Sequence, residues 1–107
     1  MKIILKYREF ELGSLSYENN DYVYNSFPEN EEKAKKLTFG LLNYNLYNSK
    51  NLKSKKLFVE FLPWLNASAR ADIINLAKLK AEDSDWDILC KMAKINLSYG
   101  DFSLINA

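Results

Sequence analysis

The chain has 107 residues, fifteen basic and fourteen acidic, giving a net charge of +1, with one cysteine and no histidine. This length suits a single domain, residues 1–107, with a core of its own. The charge balance offers no general attraction for nucleic acid or an anionic membrane surface. Without histidine, Ser-His-Asp and Cys-His chemistry is excluded, and Cys90 alone provides neither a disulfide nor a zinc site.

Residues 2–7 (KIILKY) are rich in strand formers, and Arg8 and Glu9 suit a turn. Residues 10–17 (FELGSLSY) alternate as a second strand, ENND at 18–21 is turn chemistry, and Tyr22, Val23 and Tyr24 centre a third. An antiparallel meander is expected. The apolar run at the N-terminus is too short for a signal peptide, and no run reaches the length of a membrane span, so a cytoplasmic protein is expected.

Residues 26–36 (SFPENEEKAKK) read as a polar loop with at most one helical turn. Residues 37–42 (LTFGLL) read as a fourth strand with Gly40 as a bulge, and 43–54 as a connection. From about residue 53 the pattern turns helical, with Leu57, Phe58, Phe61 and Leu62 on one stripe. Pro63 is expected to end that helix and push Leu62 towards extended geometry. Asn66 or Ser68 would cap a second helix that buries Ala69, Ile73, Leu76 and Ala77. Ser84 and Asp87 form a capping-box pattern opening a third, with Trp86, Leu89, Met92 and Ala93 inward and Cys90 buried or half-buried. Gly100 punctuates, and 102–105 (FSLI) is a last strand. The expected class is α+β: a mainly antiparallel sheet, built from the N-terminal meander plus a C-terminal strand, under a layer of about three helices.

Little in the chain promises catalysis. Gly13, Gly40 and Gly100 are too dispersed for a phosphate loop. Asp83, Asp85 and Asp87 suit a helix N-terminus, and lack the glycine and distal glutamate of a calcium loop. Glu29, Glu31 and Glu32 would solvate a loop. No metal, no cofactor and no enzymatic activity are expected. Lys50, Lys53, Lys55 and Lys56 form a basic cluster, either a solvated face or a contact for phosphates or an acidic partner. Tyr22, Tyr24, Tyr44 and Tyr47 offer base stacking, or simply strand propensity and a protein interface.

Three stretches carry a resemblance: KIILKY, Leu12-Gly13-Ser14-Leu15 and Tyr22-Val23-Tyr24; then Leu57 to Leu62 running into Pro63, with Arg70 after it; then Asp87-Ile88-Leu89 leading to Gly100 and Phe102 to Ile105. In this order the chain resembles the N-terminal subdomain of HipA-type serine/threonine kinase toxins. None of the kinase core is expected within these residues, so the chain resembles the HipS-like antitoxins of HipBST toxin-antitoxin systems. The resemblance implies an antitoxin that inhibits a separate HipT-like serine/threonine kinase toxin by protein-protein contact. A HipB-like helix-turn-helix DNA-binding protein would share the complex, and this chain would contact no nucleic acid directly. The sequence departs from the family where an acidic residue usually follows Leu-Pro: Trp64 and Leu65 stand there. The Gly-Arg-Asp run usual before the last strand is also replaced, by Ile95-Asn96-Leu97.

Pro63, Trp64, Leu65 and Asn66 are therefore the candidate partner-binding residues. Two placements for Trp64 stand open: a plug inserted in or near the kinase nucleotide cleft, or a core residue closing the helical layer. The alternative function is a nucleic-acid-binding or scaffold module using residues 50–56 and surface tyrosines.

Overall fold

The computed structural model describes residues 1–40, 42 and 44–107. Strands β1 (Ile3–Tyr7), β2 (Phe10–Glu18) and β3 (Asp21–Ser26) form the expected meander. Its turns are two residues long. Arg8 takes φ 53°, and Asn19 and Asn20 take φ 51° and 65°, the left-handed backbone that suits tight hairpins and that asparagine tolerates. Glu18 and Asp21, expected in the turn, are instead its flanking pair. A bulge between Leu5 and Lys6 shifts the β1–β2 register, and Leu12 is buried beside it.

Helix α1 (Pro28–Leu37) is a full ten residues, where the sequence pattern showed a loop with at most one helical turn over Glu29 to Lys35. It has no broad apolar stripe; Ala34 and Glu31 are what it buries. Its ends supply the rest: Pro28 in the first turn, Glu29 and Glu31 at the positive end of the dipole, Lys35 and Lys36 at the negative end. The expected strand over 37–42 does not form among its described residues. Leu37 closes α1, Thr38 caps it, and Thr38 Oγ1 accepts from the Leu42 amide at 2.9 Å. Phe39 and Gly40 follow with positive φ, which breaks any ladder. Leu41 lies outside the described residues.

The fourth strand, β4, is Leu52–Ser54, an edge strand on β3. Lys53 thus belongs to the sheet and does not open a helix. A 3-10 turn over Val59–Phe61 leads into α2 (Leu62–Ala67), followed by α3 (Ala71–Ala77) and α4 (Asp85–Lys94). Strands β5 (Ser98–Tyr99) and β6 (Phe102–Asn106) form a hairpin turned at Gly100. β6 pairs with β1, setting Leu5 opposite Leu104 and Tyr7 opposite Phe102. The sheet has six antiparallel strands in the order β4-β3-β2-β1-β6-β5, so the α+β class is as expected.

One face of the sheet carries the helices. Ile3, Leu5, Leu12, Leu15, Tyr24 and Leu104 join Phe61, Trp64, Leu89 and Met92 in a single cluster. In α4 the Ser84 capping box is present in both directions, and Leu89, Met92 and Ala93 face inward as expected, with Trp86 and Cys90 half-buried. In α3 only Ile73 and Ala77 are buried; Ala69 and Leu76 are exposed. Neither Asn66 nor Ser68 caps α3. Arg70 holds that N-cap without a side-chain bond, and Ser68 closes α2.

A candidate partner-binding surface around α2

Pro63 opens a helix where it was expected to end one. Leu62 has helical angles (φ −60°, ψ −34°), and Pro63 occupies the first turn of α2. A proline there loses no intrahelical bond, because first-turn amides have no partner in the helix, and its fixed φ is already helical. The extended geometry comes earlier, at Phe58 (ψ 141°).

Helical spacing then decides which side chains face in. Phe61 and Trp64, three apart, both enter the core. Trp64 is 2% exposed. Its Nε1 donates to the Leu97 carbonyl at 2.8 Å, and Leu97 O also accepts from the Leu104 amide at 3.3 Å. The indole thus joins α2 to the segment between α4 and β5. Its ring packs 6.3 Å from Phe61 and, edge-on, 6.3 Å from Tyr99. Of the two placements open for Trp64, this structure holds the core one, because the indole finds both apolar neighbours and a carbonyl for its N–H.

The rest of the candidate segment lies at the surface. Pro63 and Leu65 are half-buried and Asn66 is exposed. Val59 is 57% exposed, and Leu62, which the expected stripe turned inward, is 39% exposed because the helix starts there and directs Phe61 and Trp64 to the core; Tyr99, against the Trp64 ring, is 61% exposed. Sequence reasoning missed Val59 and Tyr99. Val59 fell inside the expected helix but off its stripe of Leu57, Phe58, Phe61 and Leu62, and Tyr99 belongs to a two-residue strand too short for a periodic signal. Between Tyr99 and Tyr44 a cleft of about 180 Å³ opens over Leu5, Trp64 and Phe102, with Glu60 at its edge. Glu60 Oε2 accepts from the Asn45 amide at 2.7 Å.

A polar cluster lies inside the fold. Glu31, expected to solvate a loop, is 1% exposed. Its carboxylate accepts from the Tyr44 hydroxyl and from the Asn48 amide at 3.1 Å. These bonds stabilise a buried charge that would otherwise cost several kcal/mol. Tyr24 Oη lies nearby, buried and without a partner among the described residues. Burial, reinforced by the Glu31 and Glu60 charges, raises the Tyr24 pKa; burial and the bond to Glu31 raise that of Tyr44. Tyr47 bonds Glu32, which raises it to about 12.

The residues of the nucleic-acid alternative are not brought together as stacking surfaces. Tyr22 and Tyr24 are buried, while Tyr44 and Tyr47 are tied to glutamates. Lys50, Lys53, Lys55 and Lys56 are exposed along and around the edge strand β4, where lysine guards against strand pairing. Lys55 pairs with Asp21 at 3.0 Å. The three aspartates keep a structural role: Asp87 completes the capping box, Asp85 sits in the first turn of α4, and Asp83 binds Lys91 at 2.7 Å. Among the described residues no group of metal-binding side chains occurs, and no helix is long and apolar enough to cross a membrane.

No protein-family model matches this sequence, and comparison with curated proteins and with solved structures gave no match.

Proposed function

We propose that this chain is a HipS-like antitoxin that binds a separate HipT-like serine/threonine kinase toxin in trans and restrains it by occlusion, contributing no chemistry of its own. The single observation supporting a docking role is the apolar surface at α2. Val59 and Leu62 are exposed beside the half-buried Pro63 and Leu65, Tyr99 is exposed where its ring meets the buried Trp64, and tyrosine is among the side chains that most often anchor interfaces. A domain that must bind in trans overcomes the entropy of association, which calls for such anchors.

In this reading Trp64 braces the surface from beneath. Insertion of the indole itself into a kinase cleft would first require α2 to release it. That would cost its bond to Leu97 and its burial, about 3–5 kcal/mol by analogy with truncating a core aromatic. Docking through Leu62, Leu65, Asn66 and Tyr99 carries no such cost. A cytoplasmic setting and a HipB-like helix-turn-helix protein in the same complex belong to the same proposal.

The reading is tested in cells by co-expression with a short HipA-like kinase encoded in a flanking reading frame. Growth arrest by the kinase alone, relieved by this chain, supports it. Arrest that persists despite a folded, abundant chain refutes it.

A further inference from the structure

A second surface lies where α3 and α4 end together. Leu76, Ala77 and Ile95 line a groove of about 470 Å³ together with Lys78, Lys80, Lys91 and Lys94, with no carboxylate among its lining residues. Leu76 is 62% exposed, and Ile74, on the same short helix, is 38% exposed. Lys91 is occupied by Asp83 and by the Lys78 carbonyl. Lys78, Lys80 and Lys94 make no ion pair among the described residues, and Asp83, engaged by Lys91 and by the Lys80 amide, is the carboxylate that comes near them. In a chain of net charge +1, this concentrates positive charge around exposed apolar side chains.

We infer that this groove docks an acidic amphipathic segment of a partner protein, with glutamates or aspartates on the lysines and an apolar side chain on Leu76 and Ile95. Charge complementarity sets the sign of the partner. The apolar lining favours a peptide over a phosphate backbone, which would leave Leu76 and Ile95 against solvent and charge. The surface is independent of α2 and stands whether or not a kinase binds there.

The test uses the full chain and a labelled synthetic peptide of glutamate and leucine, followed by fluorescence anisotropy and by amide chemical shifts. Saturable binding is expected, with shifts clustered at Leu76 to Lys80 and Lys91 to Ile95. Lys80→Glu with Lys94→Glu weakens it about tenfold, and Leu76→Ser also weakens it. Should the charge-reversed chain misfold, Lys80→Gln with Lys94→Gln serves in its place, with a loss of severalfold expected. Any of four results overturns the inference: no binding; shifts elsewhere; equal affinity for polyglutamate lacking leucine; or tighter binding of a DNA duplex to the same residues.

Discussion

The ring of Tyr24 lies across the backbone of Gly13. A Cβ on residue 13 would overlap the Tyr24 hydroxyl and come within 2.5 Å of Tyr24 Cζ and of the Asn25 carbonyl oxygen. Tyr24 sits opposite Leu15 in the β2–β3 register, so it reaches Gly13 along the diagonal. The absence of a side chain at Gly13 is what lets a fully buried tyrosine lie flat on the sheet beneath Phe58 and Phe61.

Gly13→Ala is therefore expected to destabilise the fold by about 1–3 kcal/mol, the range for overpacking a core. Thermal melting measures it. A melting temperature equal to that of the parent would show that both the ring and the Asn25 backbone can yield.

Tyr24→Phe removes a buried hydroxyl that has no partner among the described residues. Its expected effect on stability is within about 1 kcal/mol of zero, since only a contact with the Tyr44 hydroxyl outside standard hydrogen-bond geometry is lost and a desolvated polar group disappears. Denaturant unfolding gives the value. A loss well above that range would reveal a bonded hydroxyl.

Trp64→Ala is expected to cost about 3–5 kcal/mol, with Leu97 O losing one donor. Unfolding curves measure the loss, and intrinsic fluorescence reports the indole's surroundings. Trp64 should resist a water-soluble quencher while half-buried Trp86 yields to it. Equal quenching of both would place Trp64 at the surface.

At high pH, Tyr24 and Tyr44 should stay protonated while the chain is folded, because burial and the Glu31 charge raise both. In the unfolded chain they ionise near about 10. A raised folded pKa means that their contribution is fully present below about pH 10 and is lost as pH rises towards the folded value. Ultraviolet titration of tyrosinate should show two tyrosines ionising only as the fold is lost. Smooth ionisation of all seven in a folded chain would contradict the cluster.

The sequence showed the meander, the last strand and α4 because those segments have strong local signals: period-two alternation, paired turn residues and the Ser84–Asp87 box. It failed where tertiary contacts decide. α1 buries Ala34 and a charged Glu31, so its pattern resembled a solvated loop; only Tyr44 and Asn48, thirteen and seventeen residues later, make that glutamate a core residue. Residues 37–42 have strand-like composition, yet the backbone turns at Phe39 and Gly40. Pro63 marked a helix boundary, but its sense, start or stop, depends on Phe58 being extended rather than helical. The segment 63–66 was singled out because Trp64 and Leu65 stand where the resembled family usually has an acidic residue after Leu-Pro. Which of its side chains reach solvent depended on Leu97, a partner 33 residues from Trp64 that no local pattern connects to it.

The central claim is that α2 is a docking surface for a HipT-like kinase. Titration calorimetry between this chain and the flanking-frame kinase, with kinase autophosphorylation read in the same mixtures, tests it most directly. The expected result is a saturable complex and suppressed autophosphorylation. Leu62→Asp with Tyr99→Ala should weaken both by about 100-fold or more, through a charge placed in the interface and the loss of a tyrosine anchor, while melting stays near that of the parent. Full binding and inhibition by that folded double variant, or none by the parent chain, would contradict it.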